Sequence, residues 1–346
     1  MIAVELPRAA FGDAERAFLH APGLQAGLFR YSTGVEAVRL ANARGHVLVL
    51  PFLGGIVWDA AFDGVRLGMD GMFAAPRPSA EILGTYSCLL YHAGLLRNGN
   101  PGPEDTHALH GEMPCALMDS AALEAGEDQA GPFLRLRSRL DYARGFANRY
   151  RAEPTVTLRP DATSFDVGMQ VENVGGRPMD LMYMAHANFA FAPGARIVQP
   201  APWTPAHVVV RTAVPGHVQP TPAYAALLEQ LARDSASLET LDDPDRLALE
   251  QVFYLRGLQP GADGRVTVAL HRREGDGFAI SWPQADFSHC VRWLLYTPDE
   301  KVAAIALPST CEPEGYTAER RKGNVRTLAP GDAASFAVRL AYLPSA

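Results

Sequence analysis

Lysine is nearly missing from this chain. Only Lys301 and Lys322 occur among 31 basic residues, the rest being arginine. Chemistry that runs through a lysine imine therefore has two candidates in 346 residues. Cysteine is scarce as well: Cys88, Cys115, Cys290 and Cys311 stand far apart, with no CxxC pair. A chain of this length needs no disulfide to hold a core, so buried thiols in a reducing compartment are expected. No run of about 18 uninterrupted apolar residues is present to span a membrane. Glu5, Arg8, Asp13, Glu15 and Arg16 break any apolar leader, and the expected location is cytoplasmic. Beyond Arg320-Arg321-Lys322, which reads as a solvated turn, basic runs are absent too. Acidic residues exceed basic ones by 38 to 31, for a net charge of −7, so neither nucleic acid nor an anionic membrane is an expected partner. There is no GxxxxGK(S/T) loop, no strand-linked GxGxxG and no GxSxG elbow, which argues against nucleotide-binding enzymes and serine hydrolases.

What the chain does have is turns and alternation. Gly and Pro number 31 and 27, too many for a helical bundle and suited to short strands joined by turns. Val35, Ala37 and Arg39 lead into Val47–Leu50 and a turn at Gly54-Gly55. Leu134, Leu136 and Ser138 alternate with Arg135, Arg137 and Arg139, the period of a half-buried strand. The same period runs through Phe165–Val171, Val266–Leu270 and Phe336–Leu340. Strands so spaced predict an all-β chain, a large antiparallel sandwich or barrel. A helical insertion is predicted at about 222–250, where Tyr224, Leu227, Leu228 and Leu231 recur at helical steps. A shorter helix is expected around Pro7–Leu19. No repeat or linker divides the chain, so residues 1–346 read as one domain.

Three segments gather polar groups among apolar ones. The first runs from Gly94-Leu95-Leu96-Arg97-Asn98 to His107, His110, Gly111 and Glu112. The second runs from Asn173 through Pro178 to His186-Ala187-Asn188-Phe189, where a turn delivers a strand whose apolar residues surround one imidazole. Such a histidine is either a proton-transfer group or a core residue bonded to a carbonyl. The third is Cys311-Glu312-Pro313-Glu314, which follows the apolar run Val302–Leu307, and then Leu328-Ala329-Pro330-Gly331-Asp332.

In this order the three segments resemble the aldose 1-epimerases, the galactose mutarotase-like family, and look closest to its divergent branch. The resemblance implies a β-supersandwich and cofactor-free interconversion of sugar anomers. It assigns His186 as general acid, with His110 and Arg97 bonding sugar hydroxyls. The base departs from the family pattern. Cys311-Glu312-Pro313 approximates one branch and favours Glu312; Asp332 stands where the galactose type carries a glutamate; Glu314 would share a face with Glu312 if the segment were an extended strand. Trp203 can stack on a sugar face or fill the core.

Two other readings compete. A cupin-like metal enzyme would use His107, His110 and Glu112 with His186 or His207, although Gly111 and the spacing depart from that pattern. A non-catalytic carbohydrate-binding protein of the same fold needs no base at all. The expectation is therefore a sugar partner, no metal and no cofactor, with exposed edge strands available for a homodimer.

Overall fold

The computed structural model describes residues 1–216 and 218–345. Among these, one sheet has nine strands and the other fourteen, and every strand pair is antiparallel. The predicted alternations become strands Glu36–Asn42, Gly45–Val49, Gly131–Ala143, Ser164–Glu172, Arg265–His271 and Ala333–Leu343. Gly54 sits at φ +61 with Pro114 O only 2.0 Å from where a Cβ would stand, so this turn accepts no side chain.

The inner faces of the sheets meet in a shared core. Leu134, Val156, Phe165 and Val338 from the nine-stranded sheet pack with Val38, Val47 and Phe62 from the other. Phe62 and Phe165 approach across the interface with ring centroids 6.4 Å apart. Each such side chain contributes about 1.5–3 kcal/mol on leaving water. Cores of this kind leave the outer strand faces polar. There Arg135 and Arg137 bond Glu124, Arg137 bonds Glu153, Arg139 and Arg151 bond Asp141, and Arg151 bonds Glu172. All four cysteines are buried and free.

The insertion at 222–250 contains one α-helix, Pro222–Arg233, and two short 3-10 turns. Thr221 caps the helix by accepting the Tyr224 N–H, and Pro222 fills the first turn, where no donor is missed. Tyr224, Leu227, Leu228 and Leu231 are its buried stripe. The expected helix at Pro7–Leu19 is replaced by a single turn, Arg8–Ala10, and an edge strand, Arg16–Ala21, paired with Leu24–Arg30. Phe11 alone is buried within that span, which leaves no apolar face for a helix to pack. Among the described residues, no helix is long and apolar enough to cross a membrane.

Candidate functional site

Strand Met179–Ala187 lies inside the fourteen-stranded sheet, paired with Leu90–Leu95 and touching Lys301–Ser309. Two parallel constraints hold its His186. Tyr91, directly opposite in register, stacks on the imidazole with centroids 4.5 Å apart. Asn188 then sets the ring's tautomer. Its Nδ2 donates to the Cys88 carbonyl at 3.0 Å, which turns Oδ1 toward His186 Nδ1 at 2.9 Å. The ring proton therefore sits on Nδ1, and Nε2 keeps its lone pair. Burial pushes the His186 pKa down to about 3, so the imidazole is neutral at pH 7.

His110 reaches the same place from a loop. It takes a left-handed conformation, φ +60, and Gly111 follows at φ +85. A Cβ on Gly111 would stand 2.0 Å from Arg97 O, so only glycine lets the loop fold back this closely. His110 Nδ1 donates to Asn98 Oδ1 at 3.2 Å, repeating the arrangement at His186. The two imidazole centroids are 5.1 Å apart. Burial, and then the proximity of His186, lowers the His110 pKa well below the usual imidazole range. Beneath this loop Glu112 Oε1 accepts the N–H groups of Leu95 and Leu96 and the Tyr150 hydroxyl, at 3.0, 2.9 and 2.9 Å. Glu112→Ala is expected to cost about 3 kcal/mol in urea unfolding by orphaning these donors, and Glu112→Gln, which keeps the acceptor, clearly less. Equal losses in the two variants would assign the effect to something other than hydrogen bonding.

Both histidines line a cavity of about 490 Å³, within the ordinary range for small-molecule sites. Arg211 and Glu250 enter from its side. Arg211 Nη2 donates to Glu250 Oε1 at 2.6 Å, and Trp293 Nε1 donates to Glu250 Oε2 at 2.9 Å. The Tyr224 hydroxyl of the inserted helix bonds the Glu250 carbonyl, so the insertion holds this corner in place. Trp293 packs edge-on to His186 at 5.9 Å and to Tyr86 at 5.8 Å. Glu300 also lines the cavity, and burial, followed by Asp299, raises its pKa.

Of the residues singled out in the sequence, His186 and His110 meet here, and Pro313 of the Cys311-Glu312-Pro313 segment also lines the cavity, whereas Arg97, Trp203, Glu312, Glu314 and Asp332 do not. Glu312 is bound by the Arg256 guanidinium and by Lys322 Nζ at 2.6 Å, while its N–H donates to Glu319. Burial alone would raise its pKa, but Lys322 and Arg256 outweigh that and hold it below the usual carboxylate value. Glu314 accepts the Tyr254 hydroxyl. Arg97 lies 3.5 Å over the Tyr316 ring and donates to the Leu96 carbonyl. Trp203 lies under Arg292 against the core, and Asp332 closes a turn by accepting the Ala329 N–H.

The donors weighed for a metal also part company. His107 donates to the Ala108 carbonyl and accepts the Tyr316 N–H, His207 bonds Thr204, and Glu112 is committed to the backbone. Among the described residues, no three His, Cys, Asp or Glu are grouped to hold a metal ion. Arg211, Glu250, Tyr86 and Trp293 escaped the sequence reading. Trp293 carried a faint signal, the alternation Val291, Trp293, Leu295, whereas Arg211 and Glu250 meet only through strand pairing.

Residues 32–342 match the family described as Domain of unknown function (DUF4432). No curated protein matches the chain by sequence. Among solved structures, the fold is similar to that of a "putative aldose 1-epimerase" from Klebsiella pneumoniae subsp. pneumoniae, with TM-score 0.78 and 16% identity over 99% of this chain and 92% of that one. It is also similar to a galactose mutarotase-like protein from Clostridium acetobutylicum, with TM-score 0.60 and 12% identity over 93% of this chain and 99% of that one. At such identities the likeness is one of fold: this chain is a galactose mutarotase-like β-sandwich.

Proposed function

The chain belongs to the DUF4432 family and carries the mutarotase-like sandwich, and from that premise we propose that its cavity interconverts the α and β anomers of an uncharged free aldose. The observation that supports this reading best is the state of His186: a neutral, rigidly held imidazole with Nε2 unprotonated, lining a small-molecule cavity beside a paired arginine.

Ring opening removes the proton of the C1 hydroxyl, breaks the bond from C1 to the ring oxygen and forms the C1 carbonyl. The electron pair stays on the departing ring oxygen. In this proposal His186 Nε2 takes the hydroxyl proton as general base, a role worth on the order of 10²–10⁴-fold. Arg211, held by Glu250, stabilises the charge developing on the ring oxygen. The protonated imidazole then neutralises that oxygen. Rotation about C1–C2 turns the other carbonyl face inward, and reversal of the same steps closes the second anomer. This reverses the acid role that the family resemblance implies for His186, because the ring carries no spare proton at neutral pH.

The roles separate by pH. As a base with its pKa near 3, His186 stays in its working form throughout, so kcat/KM for anomeric exchange is expected to be flat from pH 8 to 5.5. A general acid with that pKa would instead gain about tenfold per pH unit of acidification. Magnetisation-transfer NMR across this range measures the difference, and a rising limb would return His186 to the acid role. Absence of exchange in any aldose that binds would leave a sugar-binding protein.

Charge limits the substrate further. Arg211 is the one fixed cation among the described lining residues and is already paired with Glu250, while Glu300 adds a carboxylate. Nothing there answers a phosphate, so phosphorylated aldoses are expected to exchange more slowly than their free counterparts.

A further inference from the structure

The sheet floor of the cavity is apolar where a fully hydroxylated sugar would need partners. Strand His289–Tyr296 presents Val291, Trp293 and Leu295 at every second position. Val252 stands directly opposite Trp293 on the next strand, and Leu307 opposite Val291 on the other side. The single polar group of Trp293, its indole N–H, is turned away onto Glu250, so the ring offers only carbon. Leu83, at the cavity wall, is 57% exposed, an apolar side chain with no core to fill. The polar groups are His186, on an interior strand of the same sheet, and groups that reach in from segments outside the strands, among them His110, Arg211 and Glu250.

A sugar hydroxyl pressed on this floor would lose its water and find no partner. A methyl group in its place would lose nothing and bury its own surface. From this, and resting on the anomerase reading above, we infer that the substrate is a 6-deoxy aldose, seated with its anomeric carbon at His186 and its methyl group on the floor formed by Val252 and Leu295. The exocyclic carbon is the natural candidate, since it projects from the ring and leaves a methyl when deoxygenated.

The test compares hexoses with their 6-deoxy counterparts of the same configuration, measuring dissociation constants by calorimetry and exchange by NMR on the full chain. The expected result is a preference of at least about tenfold for the deoxy member of the best pair, the size of discrimination that one group in an apolar pocket supports. Val252→Thr, which keeps the shape and replaces one methyl with a hydroxyl, should narrow that preference, and Leu295→Ser is the second variant should the first not fold. Equal or better binding of the hydroxylated member in every pair overturns the inference, as does a preference unmoved in the folded variants. Deoxy-selective binding without exchange sustains the inference and sinks the proposed chemistry. Binding of neither member removes both.

Discussion

His186→Ala is expected to lower kcat/KM for anomeric exchange at least about a hundredfold while the protein still folds. The side chain lines a cavity, so its removal enlarges space already there and frees the Asn188 amide oxygen. Glu312→Gln is expected to behave in the opposite way. Its carboxylate is spent on Arg256 and Lys322 and lines no part of the cavity, so exchange should stay within a few-fold of the parent. Stability should fall instead, by roughly 1 kcal/mol, since both cationic partners are 40% exposed and water screens the loss. NMR exchange rates and thermal unfolding of the two variants separate the cases. Loss of exchange in a folded Glu312→Gln variant would make that carboxylate a participant in proton transfer, and the cavity assignment would fall with it.

Acid is expected to destabilise the protein well before its carboxylates titrate. His92 and His186 are both buried, and burial pushes each pKa down to about 3, far below the ordinary value of 6.5. Between those values the unfolded chain binds protons that the folded one refuses, so stability is full above pH 6.5 and is lost as the pH falls toward 3. Each ring contributes roughly 1.4 kcal/mol per pH unit, or about 5 kcal/mol for the pair between pH 6.5 and 4.5. His110, lowered in the same direction, steepens the slope. Urea midpoints taken at half-unit pH steps measure it. His92→Phe should flatten the curve by one ring's share, at the cost of the Tyr183 hydroxyl's partner. A curve flat from pH 6.5 to 4.5 would mean that these rings accept protons in place.

The strands were legible because period-2 burial is written residue by residue, as in Leu134–Arg139 and Phe165–Val171. The inserted helix announced itself through Pro222 and the spacing of Tyr224, Leu227, Leu228 and Leu231. His186 and His110 were visible as polar residues inside apolar or glycine-bounded segments. The carboxylates were not. Glu312 and Glu250 both stand beside an apolar strand, and local sequence cannot tell which of them meets the histidines. That is decided by strand order, which places Gln251–Leu255 beside His289–Tyr296 and so brings Glu250 to Trp293. The arginine next to Glu250 comes from 39 residues upstream, a separation no motif spans.

The charged outer face of Gly131–Ala143 does something that the apolar face cannot. Inward and outward alternation distinguishes a strand slip of one residue, which would turn every leucine to solvent, but it is blind to a slip of two. The charges are not blind to it. In the native register Asp141 faces Arg151 and Arg137 faces Thr155. Sliding the partner strand by two residues one way sets Asp141 against Glu153, and the other way sets Arg139 against Arg151, like charges directly opposed in either case. The arginine–carboxylate ladder thus works as a vernier on the hydrophobic scale. The core chooses the side of the sheet, and the surface chooses the notch.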